Sequence, residues 1–429
     1  MSDDESPREQ PLAGGDTTVF DRTSNAYLKP APNLTDDNLD LHMEGDLAFD
    51  AVFVTSPAIV NPGLGPVFNN TACVNCHVRN GRGLPVTGTG GVGSPALVRV
   101  SLPPGSGTPD VPGGAVPVPG MGTQIQDHAI YGYDPEATVT IAWTYYDAAY
   151  PDGTPYTLRA PTLTIETPDG AGLPPGAQTS LRIPPPVFGL GLLEAIDEET
   201  LIALSDENDE NGDGISGRVN YVWDAALAEH VVGRFGLKAN QPHLLQQAAA
   251  AYVNDIGVTN ALFPESDGST DIEEPVLEAA AFYTQTLGVP ARAAWDDPAV
   301  IHGERLAESI GCMSCHAPTV KTGEHALAEL SNQTIHPYTD LMLHDLGPGL
   351  ADNREDFAAS GGEWRTAPLW GLGLVQTVLP ETGFLHDGRA RTIEEAILWH
   401  GGEAENAKAR FRDLDAEERA AVLLFLGSL

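Results

Sequence analysis

All four cysteines of the chain fall in two copies of one motif, Cys73-Val74-Asn75-Cys76-His77 and Cys312-Met313-Ser314-Cys315-His316. C-x-x-C-H is the attachment signature of c-type haem. Each thiol forms a thioether to a porphyrin vinyl group, and the adjacent imidazole ligates the iron. A thioredoxin-like dithiol needs no following histidine, and zinc needs four ligands at tetrahedral distances. The spacing therefore predicts two covalently bound haem c groups. Cys73, Cys76, Cys312 and Cys315 hold them, with His77 and His316 on the irons.

The other side of each iron decides its chemistry. A second His or Met closes it for electron transfer, whereas an open position binds a small molecule. For the second haem, His400 in Trp399-His400-Gly401-Gly402 leads, with His344 and His386 behind it. For the first, Met43, Met121, His42 and His128 are available and none has a distinguishing context. An exchangeable site there stays open. A further candidate is Asp209-Glu210-Asn211-Gly212-Asp213-Gly214, which matches the D-x-N-x-D-G core of a calcium loop. Asp209, Asn211 and Asp213 would converge on Ca2+. The twelfth position is Asn220 rather than a bidentate glutamate, and an acidic run of this kind can equally be a solvated turn.

Elements must place these groups. Residues 1–40 read as an extended polar arm. Residues 41–295 read as a first haem module and 296–429 as a second. The first contains a short helix near Leu47–Val54, a β-rich insertion at about 85–182, and the calcium-like loop at 206–220. The insertion shows dense Gly and Pro, then β-type runs at Ala137–Tyr146 and Tyr156–Glu166 with turn pairs such as Asp152-Gly153. Helices are predicted at Leu192–Ser205, Gln241–Asp255, Pro275–Leu287, His302–Ile310, Thr392–Trp399 and Ala416–Leu426. Asp415 and Glu418 would form a capping box on the last. A faint repeat links Pro186-Val187-Phe188-Gly189-Leu190-Gly191-Leu192 with Pro368-Leu369-Trp370-Gly371-Leu372-Gly373-Leu374. The expected fold class is mainly α, with two cytochrome c-like modules and a β-rich insertion in the first.

The chain of 429 residues carries a formal net charge of −38 with 22 basic residues. Four of these are lysines (Lys29, Lys238, Lys321, Lys408). Self-repulsion on this scale is relieved when salt shortens the screening length, which suggests a halophilic source. Nucleic acid is not an expected partner, because phosphate contacts need basic patches. No apolar run reaches the ~20 residues of a membrane span. Haem c is attached outside the cytoplasm, so the expected location is the periplasm or cell surface, with a signal or anchor removed.

The carboxy-terminal third resembles the di-haem oxidoreductase family, often labelled predicted thiol oxidoreductases. The segments that carry the resemblance are Thr334–Gly347 (TIHPYTDLMLHDLG), Glu363–Gly371 (EWRTAPLWG) and Leu385–Ala390 (LHDGRA). Gly233–Gln241 and Gly189–Ile196 look similar too. More distantly, PLWG…FLHDGRARTIEEAI resembles bacterial di-haem cytochrome c peroxidases. In those relatives the sixth ligand of the carboxy-terminal haem lies a few residues past the equivalent helix start. That position falls at His400. The relatives also hold calcium between their haems. The resemblance implies a peroxidase-like oxidoreductase with a redox-protein partner and a small-molecule oxidant. Electrons would pass from the second haem to the first. Glu194, just after the Gly189–Leu192 segment, is the acid–base candidate by position, although it could equally cap a helix. The thiol label has no support from residues, since haem consumes both cysteine pairs. The competing readings are a non-catalytic electron-transfer cytochrome and a haem-bearing partner of a cell-surface iron-uptake system.

Overall fold

Helix starts follow local capping chemistry. Thr35 accepts a hydrogen bond from Asn38 N at 3.3 Å and opens α1 (Asp36–Asp50). Asp36 and Asp37 lie in its first turn, where the helix dipole favours anions. The computed structural model describes residues 11–88 and 93–429. The first ten residues of the expected arm, and four within the expected insertion, lie outside the described residues. The further helices are α2 (Cys73–Cys76), α3 (Leu190–Glu194), α4 (Glu198–Leu204), α5 (Leu244–Ala251), α6 (Glu274–Thr286) and α7 (Pro298–Ser309). They continue with α8 (Val375–Val378), α9 (Ile393–Trp399), α10 (Glu405–Asp413) and α11 (Ala416–Ser428). The Asp415–Glu418 capping box forms as expected at the start of α11. The first helix is longer and earlier than expected, beginning inside the supposed arm. Helix α10 carries no apolar stripe and was not anticipated.

Two helix crossings organise the core. Helix α1 packs on α6, and α7 packs on α11. Each crossing is close because a glycine meets the opposite backbone, Gly45 at the Ala279 carbonyl and Gly303 at the Ala421 carbonyl. The repeated apolar segments pack between these pairs. Gly189 and Gly371 hold equivalent left-handed conformations, φ 70° and 71°, at the starts of α3 and of the short turn Leu372–Leu374.

The β-rich stretch forms two main structures, besides a short pairing of His128–Ala129 with Val67–Phe68. Leu97–Ser101 is the centre of an antiparallel sheet with Gln124–Ile125 on one side and Gln178–Arg182 on the other. Alternation divides its faces. Val98, Val100, Ile125 and Leu181 enter an apolar core, while Arg99, Gln124, Ser180 and Arg182 share the opposite face. The second structure is a long hairpin, Thr138–Ala149 with Pro155–Glu166, turning at Asp152-Gly153. Its tip is tied to the carboxy-terminal region. Tyr150 Oη donates to Glu394 at 2.6 Å, Arg419 pairs with Asp152 at 2.6 Å, and Arg391 donates to the Thr157 carbonyl at 2.7 Å.

The expected fold class is corrected. The chain is only 30% helical with 19% strand, spread over many small sheets, so it is not mainly α, and two cytochrome c-like modules are not shown. Most of the additional strands are two to four residues long, for example Thr18–Val19 beside Val289–Pro290. Such pairs arise where irregular connections meet in space, and they leave no alternation in the sequence. No helix of the described residues is long and apolar enough to cross a membrane.

Candidate haem-binding centres

At the first centre the helical turn of α2 places Cys73 and Cys76 one turn apart, and His77 closes it with His77 N donating to the Cys73 carbonyl at 2.9 Å. The His77 ring is oriented by Nδ1, which lies 2.8 Å from the Pro185 carbonyl. A carbonyl only accepts, so Nδ1 carries the proton and Nε2 keeps its lone pair for a metal. Burial pushes the ring down to about 4, against the backbone hydrogen bonds. The side chain is nevertheless only half-buried by surface.

The thiols point the same way. Burial, then the charge of Asp255, pushes Cys73 up to about 12, and the same two causes raise Cys76. Redox dithiols need a lowered thiol pKa, which this environment opposes. The four cysteines form no disulfide. Paired neutral thiols next to a neutral, oriented imidazole fit haem attachment.

The second centre repeats the orientation. His316 Nδ1 lies 3.1 Å from the Tyr338 carbonyl, and His400 Nδ1 lies 2.7 Å from the Ala396 carbonyl, at the end of α9. Burial pushes His316 down to about 4, and His400 is the next cause. His400 is itself lowered by burial. Two neutral imidazoles thus lie within electrostatic reach of each other, each with Nδ1 tied back to a carbonyl.

The other histidines are committed elsewhere. His344 sits between carboxylates, with Nε2 2.9 Å from Asp340 and Nδ1 2.7 Å from Glu403. Burial alone would lower it, but hydrogen bonds with Asp340, Cys315 and Glu403 carry it up to about 12. Among the described residues, Cys315, Asp340 and His344 form the one group whose ligand atoms lie within 4.8 Å of one another. An imidazolium bonded at both nitrogens is a cation, not a ligand. His386 stacks on Trp364 at 3.7 Å and meets Asp387 at 3.4 Å. His42 bonds Thr286 at 2.7 Å, and His128 bonds Asp127 at 2.9 Å. Met43 is exposed, and Met121 packs against the core of the three-stranded sheet.

Glu194 accepts hydrogen bonds from Leu244 N at 2.7 Å and Gln285 Nε2 at 2.6 Å, with His325 at 3.6 Å. Burial opposes its charge, but these partners hold the carboxyl below its usual value. It is therefore held ionised, and it caps the first N–H of α5. In the calcium-like loop, Asp209, Asn211 and Asp213 accept hydrogen bonds from the backbone of Gly214, Asp213 and Ile215. Asn220, at the twelfth position, turns inward and donates to the Lys238 and Asp356 carbonyls. The loop ends on the second centre, where Ser216 Oγ donates to Glu403 at 3.0 Å.

One group escaped the sequence reading. Arg99, Arg182, Lys238 and Arg354 meet Asp255, Asp352 and Asp356 in the interior beside Trp364. A lone arginine in the apolar strand Leu97-Val98-Arg99-Val100-Ser101 was its only local signal.

A comparison with family models identifies the family. The model of a family described as "di-haem oxidoreductase, putative peroxidase" matches residues 9–277 and 265–429. No curated protein matches the chain. Among solved structures, hydrazine synthase from Kuenenia stuttgartiensis, pressurised with 20 bar xenon, is 18% identical with a TM-score of 0.25. The match covers 38% of this chain and 57% of that one.

Proposed function

The chain belongs to the di-haem oxidoreductase family, and from that premise we propose that it is a peroxidase-like oxidoreductase with two covalently bound haems c. Cys73, Cys76 and His77 would hold the first, and Cys312, Cys315 and His316 the second, with His400 as the second iron's other ligand. When bound, the second group would take electrons from a redox protein, and the first would deliver them to a small oxidant. The chain's own contribution is to orient His77 and His316 through the Pro185 and Tyr338 carbonyls and to keep both rings neutral. Glu194 is the candidate to accept a proton from the oxidant, because its hydrogen bonds keep it ionised. Calcium at Asp209, Asn211 and Asp213 belongs to this reading, with ligands other than Asn220 completing the site. So do a location outside the cytoplasm and adaptation to high salt.

The observation that carries the reading is the asymmetry between the centres. Burial depresses both His316 and His77; at His316 the neighbouring His400 imidazole adds to it, whereas at His77 backbone hydrogen bonds oppose it. His400 would then close one iron and leave the other exchangeable. The test is the ferric spectrum of the haem-loaded protein with added cyanide or peroxide. One low-spin centre and one that responds to ligand is the expected result. Two low-spin centres indifferent to both reagents would overturn the peroxidase reading in favour of a simple electron carrier.

A further inference from the structure

The inward face of the three-stranded sheet is cationic in a chain whose net charge is −38. Arg182 pairs with Asp356 at 2.5 Å and with Asp352 at 3.8 Å. Lys238, wholly buried, pairs with Asp352 at 2.9 Å and donates to the Arg354 and Ser360 carbonyls. Arg354, 1% exposed, pairs with Asp356 at 2.6 Å, and its Nε has no hydrogen-bond partner among the described residues. These three cations share two carboxylates.

Arg99 is the exception within the group. Its guanidinium makes no hydrogen bond among the described residues. Its charged neighbours are Asp255 and Asp356, opposed by Arg182 and Arg354. Gln124 Nε2 already donates to Asp255 at 2.8 Å. Gln124 also donates to Asn69 Oδ1 at 2.7 Å, and Asn69 N and Asn70 N donate to the Asp255 carbonyl at 2.8 and 3.0 Å. Asn75, inside the first attachment motif, donates to Asn70 Oδ1 at 3.0 Å, which places this face beside the first centre. A half-buried guanidinium with like-charged neighbours and no hydrogen bond is costly, unless an anion meets it. A planar fork of donors suits a carboxylate above other anions. The half-buried surface of Arg99 leaves that fork reachable.

We propose that Arg99, backed by Arg182 and Arg354, is a carboxylate-binding floor for the propionate side chains of haem at the first centre. This rests on the di-haem reading and extends it to residues outside the attachment motifs. The inserted β structure is then part of the cofactor site and not an ornament. The same donors could take a free small carboxylate, so the two sources must be separated.

The experiment uses the haem-loaded full chain, Arg99→Gln and Arg99→Lys. A pyridine haemochrome count first tests the underlying reading, and fewer than two haems in the parent protein would sink that reading independently. With two present, Arg99→Gln lowers the midpoint potential of one haem, because the propionate charge is no longer balanced. Arg99→Lys restores the potential while still shifting the propionate bending band in the resonance Raman spectrum, since it keeps the charge and loses the fork. Thioether attachment should keep the count at two throughout. Unchanged potentials and Raman bands in both variants would overturn the proposal. So would a parent potential that moves saturably with added acetate, which marks a free-anion site.

Discussion

Phe188 and Gly371 are in direct opposition: a Cβ placed on Gly371 would lie 2.5 Å from Cζ of Phe188. The reciprocal pair is Trp370 over Gly189, at 2.7 Å. These are equivalent positions of the two repeated apolar segments, so each copy seats its aromatic ring on the other's glycine. Both glycines also have positive φ, which a side chain would strain.

That packing predicts Gly371→Ala to be destabilising by about 2–4 kcal/mol, from backbone strain plus overpacking. Phe188→Ala should cost about 3–5 kcal/mol through the cavity it leaves. Denaturant midpoints measure both. A Gly371→Ala protein as stable as the parent would mean that the segments do not pack in this register.

Glu136 gives a prediction of opposite sign to the usual carboxylate. Burial pushes it up to about 7, although the Gln126 N–H donates to it at 2.7 Å. The folded state therefore holds this proton more tightly than the unfolded chain. Stability falls as pH rises from the ordinary value of 4.5 to about 7, then levels. Glu136→Gln should raise Tm at pH 8 and change it little at pH 4. Equal gains at the two pH values would contradict this.

The chemistry was more legible than the fold. C-x-x-C-H announces its use because thioether and iron bonding are local to five residues. The carbonyls that orient the rings, Pro185 and Tyr338, belong to distant segments, and nothing in either sequence marks them. His344 illustrates the limit. As a bare histidine it ranked as a possible ligand, and only its placement between Asp340 and Glu403 makes it a cation. The two strands of the long hairpin were readable as β-type runs on either side of Asp152-Gly153. The short strand pairs were not, because their partners are set by tertiary contact alone.

His400 can be tested apart from activity. Removing its ring gives up the Nδ1 bond to the Ala396 carbonyl and takes away the second imidazole near His316, and added imidazole can replace only the latter. In His400→Ala, one low-spin ferric signal should be lost from the EPR spectrum and recovered on adding imidazole. An unaltered spectrum would exclude His400 as an iron ligand.

His344 joins the second centre to the 206–217 loop, because Glu403 accepts from both His344 and Ser216. Its raised pKa means that its contribution is fully present below the ordinary value of 6.5 and is lost only as pH climbs through about 12. Glu403 is lowered: burial opposes its charge, and the His344 hydrogen bond outweighs that. Its contribution is present above 4.5 and fades as pH falls through its depressed folded value. Between these limits His344 and Glu403 are both charged. His344→Leu leaves two carboxylates facing an apolar side chain, so it should cost about 3–5 kcal/mol at pH 7. That cost should be flat from pH 6 to 10 and shrink below pH 4.5, where protonation of Glu403 relieves it. Histidine ring NMR of the reduced protein checks the premise directly: the His344 resonance should not titrate between pH 6 and 9, and a midpoint near 6.5 would show that the two carboxylates do not hold it charged.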